Sequence, residues 1–481
     1  MKVIVFGFDG LRPDCVTPEI TPRLHKFLEE NICCTNNRSV YPTETYVNHP
    51  SIFTGFLPER HGLVANAFFD TGVSKKDFFL GSLVDRIEHA ERETRGGLFQ
   101  VPSLTEIAAG HGLKCVSLSS NTAGSTRLIA HKTAQKGGIN LSVNGIKHAL
   151  PEDIREEFGI DPEAGTLIKP DLKGLRKTNE IFHFLTKKEG LSDLSIIWYG
   201  EPDNSFHTYG IGADESRQAI TEADRCFGEI IDMYADGQDE IQVVVASDHG
   251  HITVKEHFDL TEALVKSGFR KGKTLVDPDA DFVLLWGYSG NIYVLNQELI
   301  PDIAAALMEI PQVGMVFTRD RNGVNGIVEG TFSSRLVGGD SNRAGDIRFI
   351  LRHTNEKDNN GYDGTCICNP FIPVGGSIHG GLHPSEVNSV LGWSGSCFKK
   401  NTIIDSVTGV IDITPTILKL LGIKPKILPQ GRVLNELFKD STENPPDAER
   451  RTFTAGRGEF SQKLEIDYIG DIPYIHRGGR V

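Results

Sequence analysis

The sequence predicts an α/β fold with a largely parallel central sheet and helices on both faces. Three observations carry this. Short apolar runs alternate with amphipathic stretches of helical spacing through the first half of the chain. Three of those runs, Val3 to Phe8, Leu194 to Trp198 and Ile241 to Ala246, each lead into an acidic residue: Asp9, Asp203 and Asp248. In open α/β sheets ligands bind in the crevice beyond the strand carboxyl ends, so acids at three equivalent positions mark a candidate site.

The remaining elements follow in order. Pro18 to Glu30 has helical spacing, with Ile20, Leu24, Phe27 and Leu28 as its apolar face. A helix is expected near Ser103 to Ala109, a strand at Lys114 to Ser119, and helices at Leu172 to Lys188 and Ala213 to Tyr234. The second half is less regular. Residues 282–296 read as a strand pair, Gln297 to Ile310 as a helix, Val313 to Thr318 and Ile347 to Leu351 as strands, and Glu356 to Gly364 as a polar connector. These place an inserted smaller subdomain at about 252–376 within a catalytic domain of residues 1–435. Asp412 to Leu421 reads as a helix closing that domain, and the polar run after Lys439 reads as a linker, so 436–481 is expected to be linker and tail.

Composition narrows the function. With 39% hydrophobic and 24% charged residues over 481 positions, the chain is an ordinary globular one. A net charge of −14 argues against a broad nucleic-acid or anionic-membrane surface, since both need a basic face. A small phosphorylated substrate remains open if positive charge is supplied locally. Met1 runs straight into the first strand without a signal-peptide apolar region or cleavage site, which gives a cytoplasmic expectation. The eight cysteines form no CxxC pair, so reduced thiols are expected. The oligomeric state is left open.

The chemistry centres on Tyr41 to Asn66, with Thr45 in its middle. A threonine at a helix start sits beside unpaired amides and the positive end of the helix dipole, which favour a phosphate oxygen. Pro50 fits such a helix only within its first turn. Carboxylates and imidazoles at Asp9, Asp203, His207, Asp248, His249 and His379, without thiolates, suit zinc, with manganese as a substitute. They exceed what one tetrahedral ion needs and suit two ions, which at about 3.5–4 Å apart can clamp both oxygens of a phosphoryl displacement. A threonine hydroxyl is a poor nucleophile until a cation favours its alkoxide.

These residues resemble the alkaline phosphatase superfamily, and within it the type I phosphodiesterase/nucleotide pyrophosphatase branch. Asp9-Gly10, Pro42-Thr43-Glu44-Thr45, Asn48-His49, Thr54-Gly55, Pro58-Glu59 and His61-Gly62 follow that branch's nucleophile block. Glu201-Pro202-Asp203 with His207 and Gly210, then Asp248-His249-Gly250, then His379-Gly380-Gly381 resemble its later blocks, in the same order. The resemblance implies an alkaline-phosphatase-like three-layer sandwich and two divalent metal ions. Asp9, Thr45, Asp248 and His249 would hold one ion and Asp203, His207 and His379 the other. It further implies that Thr45 becomes transiently phosphorylated, that Asn66 bonds a phosphate oxygen with the Thr45 amide, and that Tyr46 stacks on the leaving group. Phe206 replaces a usual glycine and His251 a usual methionine.

The expected activity is hydrolysis of phosphodiester or phosphoanhydride bonds. A phosphonoacetate hydrolase or phosphomonoesterase shares most of these ligands, and a catalytically silent phosphoryl-ligand-binding relative is the alternative of another class. His49, His61 and His251 lie close to the ligands in sequence and are expected to be hydrogen-bonded supporting histidines. Gly392-Trp393-Ser394-Gly395 fails the serine-hydrolase elbow because Ser396 takes the place of its last glycine. Neither a Walker A loop nor a strand leading into GxGxxG is present.

Overall fold

The computed structural model describes residues 1–158, 168–234 and 240–481. Its centre is an eight-stranded sheet: β1 (Lys2–Phe8), β2 (Ile32–Cys34), β3 (Cys115–Ser119), β4 (Ile139–Ser142), β5 (Leu194–Tyr199), β6 (Ile241–Ala246), β7 (Leu391–Gly395) and β8 (Thr402–Ile404). The spatial order is β8-β2-β7-β6-β1-β5-β3-β4, and only β7 runs antiparallel to its neighbours. β7 contains the failed elbow sequence. It is a buried sheet strand, and its Ser394 hydroxyl bonds Asn31.

β1 shows why the run is continuously apolar. Val3 and Val5 point into one apolar cluster and Ile4, Phe6 and Phe8 into the other. A strand with helices on both faces has no side to give to polar residues. The first face is covered by α2 (Thr45–Thr54), α3 (Leu104–Gly110) and α7 (Ile413–Leu420). The second is covered by α1 (Pro22–Glu30), α4 (Leu172–Glu189) and α6 (Asp214–Met233), while α5 (Asp203–Tyr209) caps β5. The three-layer sandwich is thus observed. The strands and helices expected in the first half stand within a few residues of their expected bounds, and the four strands at 32–34, 139–142, 391–395 and 402–404 are additional.

Two expectations in the second half need correction. The polar connector Glu356 to Gly364 is the turn and flanks of a hairpin, His353–Lys357 against Asp363–Cys368. That hairpin belongs to a four-stranded sheet with Ile252–His257 and Ser377–Ile378. Its outer strand is exposed, so it carries polar residues that read as loop. The expected tail is also structured. Glu449–Arg457, Phe460–Ile469 and Ile472–Arg480 form an antiparallel meander. Phe460, Leu464, Ile466 and Ile475 share an apolar cluster with the five-stranded sheet of residues 282–333 and 347–351, and the Gln462 amide bonds both the N–H and the C=O of Val316. One face of this meander is charged, which hid its strands in the sequence. All eight cysteines are unpaired, and no described helix is long and apolar enough to cross a membrane.

Candidate active site

Because β6, β1 and β5 are adjacent and parallel, their carboxyl ends deliver Asp248, Asp9 and Asp203 side by side. Strands in a sheet lie about 4.8 Å apart, so acids leaving three neighbouring strands fall within reach of shared cations. The Asp203 amide donates to the Asp9 carbonyl at 3.0 Å, and the Gly10 amide to Asp248 Oδ1 at 3.0 Å. Gly10 has φ +70°, and a Cβ there would stand 2.5 Å from His251 Nε2. Only glycine suits that turn.

Asp203 opens α5, and His207 lies one turn on, with Nε2 3.3 Å from Asp203 Oδ1. His379 leaves the strand Ser377–Ile378, and its Nε2 is also 3.3 Å from Asp203 Oδ1. His249 Nε2 lies 3.2 Å from Asp248 Oδ2, 3.7 Å from Asp9 Oδ1 and 3.1 Å from the Thr45 hydroxyl. The structure therefore brings the seven residues Asp9, Thr45, Asp203, His207, Asp248, His249 and His379 together from five segments of the chain. The rings of His249 and His379 stack with centroids 3.7 Å apart, which joins the two halves.

Thr45 is the first residue of α2, after Glu44 in extended conformation. Its amide has no acceptor among the described residues, as expected in a first helical turn. Pro50 lies in the second turn, not the first, because the helix starts early. It leaves the Tyr46 carbonyl without its helical donor, and the helix still persists under tertiary packing. Asn66 Oδ1 accepts the Tyr46 amide at 2.9 Å, which fixes the amide orientation and leaves Nδ2 as a free donor. The Asn66 backbone N–H donates to the Glu44 carboxylate. Tyr46 is half-buried, with its ring against Gly81.

Sequence reasoning missed two further supports. Trp198 Nε1 donates to Asp9 Oδ2 at 3.2 Å, and Asn121 Nδ2 donates to the same oxygen. Trp198 pairs with Gly7 across β1 and β5, where a Cβ would strike its ring. Finding it requires the strand register. Of the three neighbouring histidines, His61 is structural: its Nδ1 accepts the Leu63 amide and Nε2 faces the Ser51 hydroxyl. His49 and His251 turn into the site, with His49 Nε2 3.3 Å from Asp248 Oδ2 and His251 Nε2 2.9 Å from Asp203 Oδ1.

The electrostatics call for cations. Burial, and then the Asp248 carboxylate, push Asp9 up to about 7. Burial also drives His249 down to about 4. Asp203 is held well below the usual carboxylate range because the imidazoles of His207, His251 and His379 outweigh its desolvation. Asp9 Oδ1 and Asp248 Oδ2 are buried with no hydrogen-bond partner. Two orphaned carboxylate oxygens facing imidazole nitrogens are costly unless a cation lies between them. The groups Asp9/Asp203/His249 and Asp203/His207/His251/His379 each offer donor atoms within 4.8 Å of one another, so the residues fit divalent cations.

Comparison with known proteins agrees with this geometry. The profile of the type I phosphodiesterase / nucleotide pyrophosphatase family matches residues 3–354. The chain is 25% identical over 252 residues to the bis(5'-adenosyl)-triphosphatase enpp4 of Xenopus laevis, covering 52% of this chain and 47% of that protein. It thus spans about half the length of that relative. The solved structure of murine ectonucleotide pyrophosphatase / phosphodiesterase 5 superposes with a TM-score of 0.65 at 17% identity, over 91% of this chain and 100% of that one. An inactive variant of the same murine protein in complex with AMP superposes with a TM-score of 0.63 at 17% identity, with the same coverage of both chains. At that identity the likeness is one of fold. With the matched profile spanning most of the sequence, the chain belongs to the type I phosphodiesterase/nucleotide pyrophosphatase family.

Proposed function

We propose that this chain is a two-metal phosphodiesterase or nucleotide pyrophosphatase that hydrolyses small phosphodiesters or phosphoanhydrides through a phosphothreonine at Thr45. The observation that carries the reading is the Thr45 hydroxyl at a helix start, 3.1 Å from His249 Nε2, which itself lies 3.2 Å from Asp248 and 3.7 Å from Asp9. Asp9, Thr45, Asp248 and His249 would hold one cation and Asp203, His207 and His379 the other. Carboxylate and imidazole donors suit zinc, and manganese could replace it. When bound, the ions supply positive charge that favours the Thr45 alkoxide and offsets charge on the phosphoryl oxygens.

The chain's own groups do the rest. Thr45 Oγ1 attacks phosphorus opposite the leaving oxygen, forming the phosphothreonine ester as the P–O bond to the leaving group breaks. The Thr45 amide and Asn66 Nδ2, neither with another partner among the described residues, donate to non-bridging oxygens. Water enters from the side of Asp203 and His207, whose side chains are 14% and 18% exposed, and attacks phosphorus of the threonine ester, which still carries the other substituent, to release a phosphomonoester and restore the Thr45 hydroxyl. Tyr46, half-buried beside the nucleophile, would offer its ring to a nucleobase leaving group for stacking. The AMP bound to the murine relative supports a small nucleotide as substrate.

The test is hydrolysis of bis(p-nitrophenyl) phosphate and of dinucleoside polyphosphates by the zinc-loaded protein. Chelation should abolish turnover, and Thr45→Ala should lower kcat by about 10⁴-fold or more, as when a covalent nucleophile is removed. Full activity in Thr45→Ala would remove the nucleophile assignment. A kcat/KM higher for monoesters or phosphonates than for diesters would replace the substrate class.

A further inference from the structure

Five imidazoles crowd the site, and the partner of each Nδ1 sorts them. In His207, His249 and His379, Nδ1 faces a backbone carbonyl: Ser377 O at 2.7 Å, Gly250 O at 3.2 Å and Thr43 O at 2.7 Å. A carbonyl has no proton to give, so Nδ1 must carry it and Nε2 presents a bare lone pair, the form a metal takes. His251 differs. Its Nδ1 faces the Ser377 hydroxyl at 3.0 Å, which can donate, and its Nε2 faces Asp203 Oδ1 at 2.9 Å, a carboxylate that can only accept. Both contacts are satisfied together only when Nε2 carries the proton. The pattern recurs in the other half, where Ser125 Oγ is 3.0 Å from His49 Nδ1 and Nε2 points towards the Asp9 and Asp248 carboxylates.

His251 is fully buried, and its ring packs edge-on against Phe206 with centroids 5.3 Å apart. Ser377 joins the arrangement to a ligand, since its carbonyl fixes His207 while its hydroxyl fixes His251.

We propose that His251, backed by Ser377 and wedged by Phe206, is a positioning residue that donates its Nε2 proton to Asp203 and orients that carboxylate for its cation, instead of serving as a fourth protein ligand. The inference rests on the two-metal reading above. A histidine ligand there would fill the coordination position that the more exposed cation otherwise keeps open. A histidine donor leaves that position free for substrate or water.

The experiment uses the full chain loaded with zinc or cobalt(II), with no substrate. Metal affinity is read by chelator competition, and the number of imidazole ligands by cobalt(II) absorption and X-ray absorption. His251→Gln, which keeps an N–H donor, should bind both ions with near wild-type affinity and an unchanged ligand count. His251→Leu should weaken one ion by about 10- to 100-fold, the usual cost of losing a group that holds a metal ligand, again without losing an imidazole. Ser377→Ala, a milder change in case the leucine variant fails to fold, should weaken the same ion by about 2- to 10-fold. Loss of one imidazole from the metal in His251→Gln, or wild-type affinity in His251→Leu or Ser377→Ala, overturns the proposal. A wild-type protein that binds no ion would sink the two-metal reading itself, whereas one that binds two ions with unchanged affinity whatever stands at position 251 sinks only this inference.

Discussion

The two halves of the site use the same residue types and differ in their access to solvent. Asp9, Asp248 and His249 have no exposed side-chain surface, while Asp203 and His207 are 14% and 18% exposed. The sealed half lies at the ends of the two central strands under α2, and the open half lies on the short helix α5. Burial raises Asp9 because a charge without a partner is most costly where water is absent. Asp203, ringed by imidazoles, moves the other way. The sealed half is therefore suited to hold the nucleophile, and the open half to admit water and release the leaving group.

The difference can be broken most strongly at the ligands. In metal-free protein, Asp9→Asn removes one of two like charges from a sealed cluster, so its thermal midpoint should rise above wild type. It should also lose the metal-induced stabilisation, which for a site at 100-fold excess of metal over Kd is about 2.7 kcal/mol. His207→Ala should lower metal-free stability by about 1 kcal/mol, from loss of its bond to the Ser377 carbonyl, and bind one ion fewer. Calorimetry with and without EDTA, together with metal analysis, decides this. Equal behaviour of the two variants would mean that burial does not distinguish the halves.

Gly10 stands where the halves meet, with its amide on Asp248 and the space above its Cα filled by His251 and Asp203. Gly10→Ala should cost about 1–3 kcal/mol from its positive φ and from contact with His251. It should weaken the cation of the open half more than that of the sealed half. Denaturant unfolding and metal titration read the two effects separately.

The smallest effect is on pH dependence. Asp9 is raised from 3.8 to about 7 in the folded metal-free protein, so its contribution to stability is present below pH 4 and is lost as pH rises through 7. The unfolding midpoint of EDTA-treated protein should therefore fall between about pH 4 and 7. Asp9→Asn should flatten that fall, and bound metal, which stabilises the carboxylate, should remove it. A slope unchanged in Asp9→Asn would assign it to another group.

The amino-acid sequence alone determined the alternation that makes the sheet, because an apolar run buried on both faces is a local signal that β1, β5 and β6 carry in full. It also carried the motif residues: Asp9, Asp248, His249 and His379 follow strands, Thr45 and Asp203 open helices, and His207 lies one turn beyond Asp203. Only the tertiary structure decided which strands are neighbours, and with that the placement of Trp198 and Asn121 on Asp9 and of His251 against Asp203. It also decided that residues 449–480 form an antiparallel sheet packed on the cluster of the five-stranded sheet. The physical reason is common to these cases. Periodicity records whether a side chain is buried, whereas register, solvent access and the partner of each imidazole nitrogen depend on segments distant in the chain that packing brings together.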